Sequence, residues 1–122
     1  MGLVYRTLSL LVRNLHGIEL PSSARVGRRV VIDNRGGIVV HGNSVIGDEC
    51  VLRRDVKLGS RSADRPDEAP RLGNGVNVGP GAKILGDVSV GDGAQIGANA
   101  VVFSDVAPHA VAAGVPAHVR QQ

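Results

Sequence analysis

The sequence predicts an all-β solenoid, a parallel β-helix of about four triangular coils with a short N-terminal α-helix and a C-terminal tail. Three observations carry this. An aliphatic residue returns every six residues at Val26 and Ile32, then at Val40, Ile46, Leu52 and Leu58, and again at Leu72, Val78, Ile84, Val90, Ile96 and Val102. Glycine is abundant, with 17 residues in 122, and follows the aliphatic in seven of the twelve units. Aromatics are nearly absent, with one Tyr and one Phe, so any core must be built from Val, Ile, Leu and Ala. A six-residue unit has room for one short strand and one corner, three units close a triangle, and stacked coils pair their strands with those above and below.

Residues 1–17 are predicted as an amphipathic helix, because Val4, Leu8, Leu11, Val12 and Leu15 fall on one helical stripe able to pack on the first coil or a neighbouring subunit. Residues 18–107 form the repeat. Four residues after each aliphatic stands a small or β-branched residue, such as Val30, Gly36, Ser44, Cys50, Val56, Ser62, Val76 and Ala82, and these are assigned to the prism interior. The glycines after the aliphatics are assigned to the strained backbone of the corners. Two steps break the period: Ile32 to Val40 takes eight residues and Leu58 to Leu72 fourteen. The longer one, at 59–71, is polar and Pro-containing and must leave the prism as a loop, a favoured place for a site on a rigid scaffold. Residues 108–122 lose the register and are expected to fold back over the last coil.

Composition narrows the function. The longest apolar stretch, 8–12, is far below the ~20 residues that span a bilayer, and residues 1–16 lack a secretory cleavage pattern, so a cytoplasmic protein is expected. The single Cys50 excludes an intramolecular disulfide framework and a Cys-based zinc site. The net charge is +3, but the basic residues are scattered and no aromatics stand ready to stack on bases. A small phosphorylated ligand suits this charge better than nucleic acid.

Beyond the generic period, the segments GPGAKILG at 79–86, IGANAVV at 96–102 and AAGVPAHVR at 112–120 resemble the left-handed β-helix acetyltransferases of the serine acetyltransferase group. The segments at 26–29, 58–64 and 72–76 are also similar to colanic-acid-type O-acetyltransferases. The resemblance implies left-handed coiling, a homotrimer, and acetyl-CoA bound in clefts between neighbouring prisms. It implies a cofactor-binding surface of Gly79, Lys83, Gly97, Ala98, Gly114, Pro116 and Arg120, with no metal. Because the chain opens with one predicted helix and ends in Gln121 and Gln122, a sugar or other hydroxyl is expected as the acceptor before serine.

Acetyl transfer to a hydroxyl needs a proton acceptor, and neutral imidazole suits that role. The resemblance places the family's catalytic His at Asn34, whose amide has no basicity in this range, and its orienting carboxylate at Glu19. A second family His maps onto Ala69. His41, at a predicted prism corner, is the alternative base, against a reading as a solvated corner residue. Asp33 is a further candidate, as are the loop acids Asp64, Asp67 and Glu68. Arg54 occupies the same slot as Asn34 one coil on and should stack on it, either to hold an anion or simply to bond Asn34. His16, His109 and His118 are expected to serve as a helix-end charge, a structural residue and a surface group. A catalytically degraded relative that binds CoA or a partner chain is the competing function. A γ-class carbonic anhydrase on the same fold would need three zinc-binding histidines, which the four scattered ones do not offer.

Overall fold

The computed structural model describes residues 2–5, 23–33 and 36–121. The predicted period is realised as three parallel sheets. The first coil comprises β2 (Arg25–Val26), β3 (Val30–Asp33) and β4 (Val39–Val40). The second comprises β5 (Val45–Ile46), β6 (Val51–Leu52) and β7 (Lys57–Gly59). Next come β8 (Arg71–Leu72), β9 (Asn77–Val78) and β10 (Lys83–Leu85), then β11 (Ser89–Val90), β12 (Gln95–Ile96) and β13 (Val101–Val102). One sheet has the order β11-β8-β5-β2 and another β13-β10-β7-β4. The third, seven-stranded, runs β1-β3-β6-β9-β12-β14-β15, where β1 is Gly2–Tyr5, β14 Ala110–Ala113 and β15 His118–Gln121.

Register follows the sequence period. Val26, Ile46, Leu72 and Val90 stack on one face, Ile32, Leu52, Val78, Ile96 and Ala112 on the second, and Val40, Leu58, Ile84 and Val102 on the third. All but the half-buried Val26 are buried, and with the small inward residues they form one continuous core. One inward assignment needs correction, and one is joined by a second buried residue. Ser62 is exposed in the loop and Pro70 is buried two residues before Leu72, where Ser62 was placed by counting. In the eight-residue unit Ile38 is buried two residues before Val40, together with Gly36. Counting forward from the previous aliphatic fails after an insertion, because the inward position is set by the strand that follows.

The role of the repeat glycines also differs from expectation. None of Gly27, Gly47, Gly73, Gly79, Gly91 and Gly97 has a positive φ. Positive φ falls instead on the last corner residue: Arg29, Glu49, Gly75, Gly93 and His109 at one corner, and Gly37, Asp55, Gly81 and Asn99 at the next. The glycine after the aliphatic serves to make room for the next coil. A Cβ on Gly47 would lie 2.5 Å from both the Gly73 carbonyl oxygen and Asn74 Oδ1. The cleared space holds a ladder of side-chain acceptors. Asp48 Oδ1 takes the Arg28 N–H, Asn74 Oδ1 the Asp48 N–H, and Asp92 Oδ1 the Asn74 N–H, each at 2.8 Å. These bonds satisfy corner amides that the short strands leave unpaired.

The N-terminal helix prediction fails where it can be tested. Gly2–Tyr5 is a strand, antiparallel to β3, and the rest of the predicted stripe, with His16 and Glu19, lies outside the described residues. The first coil leaves an open row of N–H and C=O groups on β3, and a Leu-Val-Tyr segment pairs readily with such an edge. At the other end β14 continues the parallel ladder on β12, so solenoid pairing runs past residue 107 to Ala113. The chain then reverses through residues 114–117, and β15 returns antiparallel to β14. β1 and β15 thereby cover the two ends of the parallel ladder, at β3 and β14. Among the described residues no helix is long and apolar enough to cross a membrane.

Candidate functional site

The corner between the seven-stranded sheet and the β4-bearing sheet gathers most of the residues assigned to cofactor binding. Gly79 follows β9 and Gly97 follows β12; each donates its N–H to the coil above, to Ile96 O and Ala112 O at 2.8 Å. The next position on successive coils is Arg54, Pro80, Ala98 and Gly114, four residues in one vertical column. A groove of about 160 Å³ runs along it, lined by Arg54, Asp55, Pro80, Gly81, Ala98 and Asn99. Lys83 stands on β10, where the chain leaves this corner, its side chain exposed with Nζ donating to the Gly81 carbonyl at 3.3 Å. The Gly114 carbonyl accepts the Val101 N–H at 3.0 Å, and Ala117 N–H donates to Val101 O, so the return turn closes over the same corner.

The column is built of small side chains, Arg54 lines it and Lys83 follows on β10, and neither cation pairs with any described acid. The glycines carry no independent weight, since a Cβ on Gly79 would lie 2.8 Å from the Ala98 nitrogen whatever the ligand. Arg120 and Pro116 belong to the C-terminal hairpin. Arg120 is opposite Val111 on β15, on the neighbouring sheet, and Pro116 is exposed in the turn.

His41 is placed at a corner, as its position in the repeat predicts, but its ring is engaged. Nδ1 accepts the Asn43 N–H at 3.0 Å, which puts the ring proton on Nε2, and Nε2 donates to the Pro66 carbonyl at 2.6 Å. No lone pair is left for a substrate proton in this arrangement. Asn34 and Glu19 lie outside the described residues. Asp33, at the end of β3 one residue before the corner slot, is the only buried acid among the described residues, 5% exposed and already in a polar contact. Asp64 and Asp67 are exposed in the loop.

His109 takes the last position of its corner with φ 61° and packs its ring over Gly93, a structural role. His118 is exposed on β15, opposite Ala113. Cys50 is buried, its thiol donating to Gly73 O at 3.0 Å, and burial pushes its pKa up. Among the described residues no group of three or more His, Cys, Asp or Glu is placed to hold a metal ion.

The loop between β7 and β8 walls an open cleft of about 470 Å³, with Asn43 in its lining. Asn43 escaped the sequence reading, because its partner, the Asp67 carbonyl at 3.0 Å, lies 24 residues away and belongs to a segment without a period.

A three-sheet solenoid with one aliphatic every six residues and a small-residue corner defines the class of hexapeptide-repeat transferases. The family described as "Bacterial transferase hexapeptide (six repeats)" matches residues 69–104. The serine acetyltransferase of Helicobacter pylori strain J99 is 42% identical over 114 residues, covering 93% of this chain and 67% of that protein. The serine acetyltransferase of Salmonella typhimurium is 39% identical over 118 residues, covering 93% of this chain and 43% of that protein. The solved soybean serine acetyltransferase apoenzyme superposes with a TM-score of 0.84 at 36% identity, over 88% of this chain and 45% of that one. The Brucella abortus serine acetyltransferase in complex with coenzyme A gives 0.77 at 35% identity, over 82% and 40%. The chain belongs to the serine acetyltransferase family of hexapeptide-repeat proteins. It spans less than half the length of the Salmonella and soybean relatives.

Proposed function

We propose that this chain is an acetyl-CoA-dependent O-acetyltransferase with L-serine as the acceptor. The observation that carries the reading is the column of Pro80, Ala98 and Gly114 bordered by Arg54 and Lys83, in a chain whose relatives are named for serine acetylation and include a coenzyme A complex. The relatives favour serine over the sugar acceptor expected from the sequence. The coil is read as left-handed and the assembly as a homotrimer with the cofactor cleft between protomers. Half-buried outward valines, among them Val31 and Val51 on one face and Val39 and Val101 on another, supply apolar surface for such contacts.

Acetyl-CoA supplies an activated acyl group. Arg54 and Lys83 face its phosphates, while the small residues let the pantetheine arm approach the backbone. The acceptor hydroxyl oxygen forms a bond to the thioester carbon, the carbon–sulfur bond breaks, and the thiolate leaves to take up a proton as free CoA. The hydroxyl proton goes to the Asp33 carboxylate, the role its burial and place beside the corner slot support. The competing reading is a relative that binds CoA without turnover, favoured by Asn34 and Ala69 standing where the family carries histidines and by the engaged ring of His41. Thiol release from acetyl-CoA, measured with L-serine and with a panel of sugar hydroxyls, separates the two. Serine-dependent release is expected. CoA binding without release for any acceptor would establish the non-catalytic reading.

A further inference from the structure

We propose that His41 and Asn43 are positioning residues that clamp the loop between β7 and β8 into the wall of the acceptor pocket, so that they govern acceptor recognition and not proton transfer. The word acceptor rests on the acetyl-transfer reading and on the proposed trimer, which would set this corner of one prism against the small-residue corner of the next; the clamp rests on neither. Residues 60–70 leave the solenoid with few bonds of their own. Arg65 N–H donates to Ser62 O at 3.0 Å, Asp64 N–H to Ser62 Oγ at 3.2 Å and Glu68 N–H to Arg65 O at 3.2 Å. These shape local turns, and the loop's two ends are tied to the solenoid by Arg61 over the Phe103 ring at 5.4 Å and by Pro70 O accepting the Val45 N–H at 3.2 Å, which leaves its middle to be held.

Two side chains from one corner attach the middle of the loop. His41 Nε2 donates to the Pro66 carbonyl at 2.6 Å, and Asn43 Nδ2 donates to the next carbonyl, Asp67 O, at 3.0 Å. Each supports the other, because the Asn43 N–H holds the His41 ring through Nδ1 at 3.0 Å. On the far side the loop rests on Gly86, where a Cβ would come within 3.2 Å of Arg61 Cβ. The open cleft of about 470 Å³ is walled by Asn43, by Pro66 and Asp67 themselves, and by Ala69, the position that aligns with a family histidine. Its shape therefore depends on where the clamp holds the two carbonyls.

The variants His41→Ala, His41→Asn and His41→Gln divide the bonds. Asn places an acceptor near the Nδ1 position but cannot reach Pro66, whereas Gln places an N–H near the Nε2 position. Two readouts are taken on the full chain: amide hydrogen exchange at residues 64–68, and KM and kcat for L-serine. His41→Ala and His41→Asn are expected to speed loop exchange and raise the serine KM about tenfold, with kcat and the acetyl-CoA KM nearly unchanged. His41→Gln should restore most of both. Unchanged loop exchange in His41→Ala would overturn the clamp. A fall in kcat at constant KM, with no rescue by Gln, would overturn it in favour of a base. If wild type turns over no acceptor, the acetyl-transfer reading fails, while the exchange data still decide the clamp.

Discussion

Replacing Gly47 by alanine tests the packing logic of the solenoid. The new methyl would lie 2.5 Å from the Gly73 carbonyl oxygen and 2.6 Å from its carbonyl carbon, against 3.4 Å for ordinary contact. Neither atom can rotate away, so the second and third coils must part by roughly 0.9 Å at this corner. The movement strains the 2.8 Å bond from Asp48 N–H to Asn74 Oδ1 and the 2.9 Å bond from Gly47 N–H to Leu72 O. Overpacking costs about 1–3 kcal/mol and a weakened hydrogen bond about 0.5–1.5 kcal/mol. Alanine returns about 0.4–1 kcal/mol by stiffening the unfolded chain. The net loss is about 2 kcal/mol, a drop of about 1 M in the urea midpoint at fixed protomer concentration. Gly59→Ala is the matched control, since its nearest neighbours are flexible side-chain ends at 3.6 and 3.8 Å, and it should be neutral or slightly stabilising. Gly75→Ala has open space but φ +68°, so it should lose about 1 kcal/mol from backbone strain alone. An unchanged midpoint in Gly47→Ala, or an equal fall in Gly59→Ala, would refute the reasoning.

Further outcomes are expected at other positions. Burial pushes the Cys50 thiol above its usual 9.0, so the folded state holds its proton while the unfolded chain releases it. Stability should therefore be pH-independent from this group below about pH 8 and decline as pH rises past 9, and urea titrations should show a flatter alkaline limb for Cys50→Ala. Lys83→Ala should weaken CoA binding and reduce its salt dependence in calorimetric titrations, and Arg120→Ala, on the neighbouring sheet, should do so less. Asp33→Asn should lower kcat by about 10²-fold or more, read from thiol release. In that background Asn34→His should recover part of the rate, with an activity that falls as pH drops through the imidazole range.

The solenoid was legible because every inward residue repeats. Ile32, Leu52, Val78 and Ile96 declare one face of the prism without any knowledge of their neighbours. The glycines misled because room and conformational freedom leave the same letter: Gly47 serves the first and Gly75 the second, and only the coil above tells them apart. The strand at Gly2–Tyr5 was hidden for a similar reason, since the edge that recruits it exists only once β3 has formed. At the site, the small-residue corner was legible through the resemblance carried by GPGAKILG, IGANAVV and AAGVPAHVR, since the period alone marks Gly79 and Gly97 only as corner residues. The engagement of His41 did not, because Pro66 lies 25 residues away in a loop whose path the repeat does not dictate.

The central claim is acetyl transfer from CoA to the serine hydroxyl, and the most direct measurement is isotopic. The chain would be incubated with acetyl-CoA labelled in the acetyl group and with L-serine, and the products resolved by mass spectrometry. Label in O-acetylserine, in amounts matching the free CoA released and absent without protein, is the predicted result. Label remaining in acetyl-CoA or appearing only in acetate would contradict it.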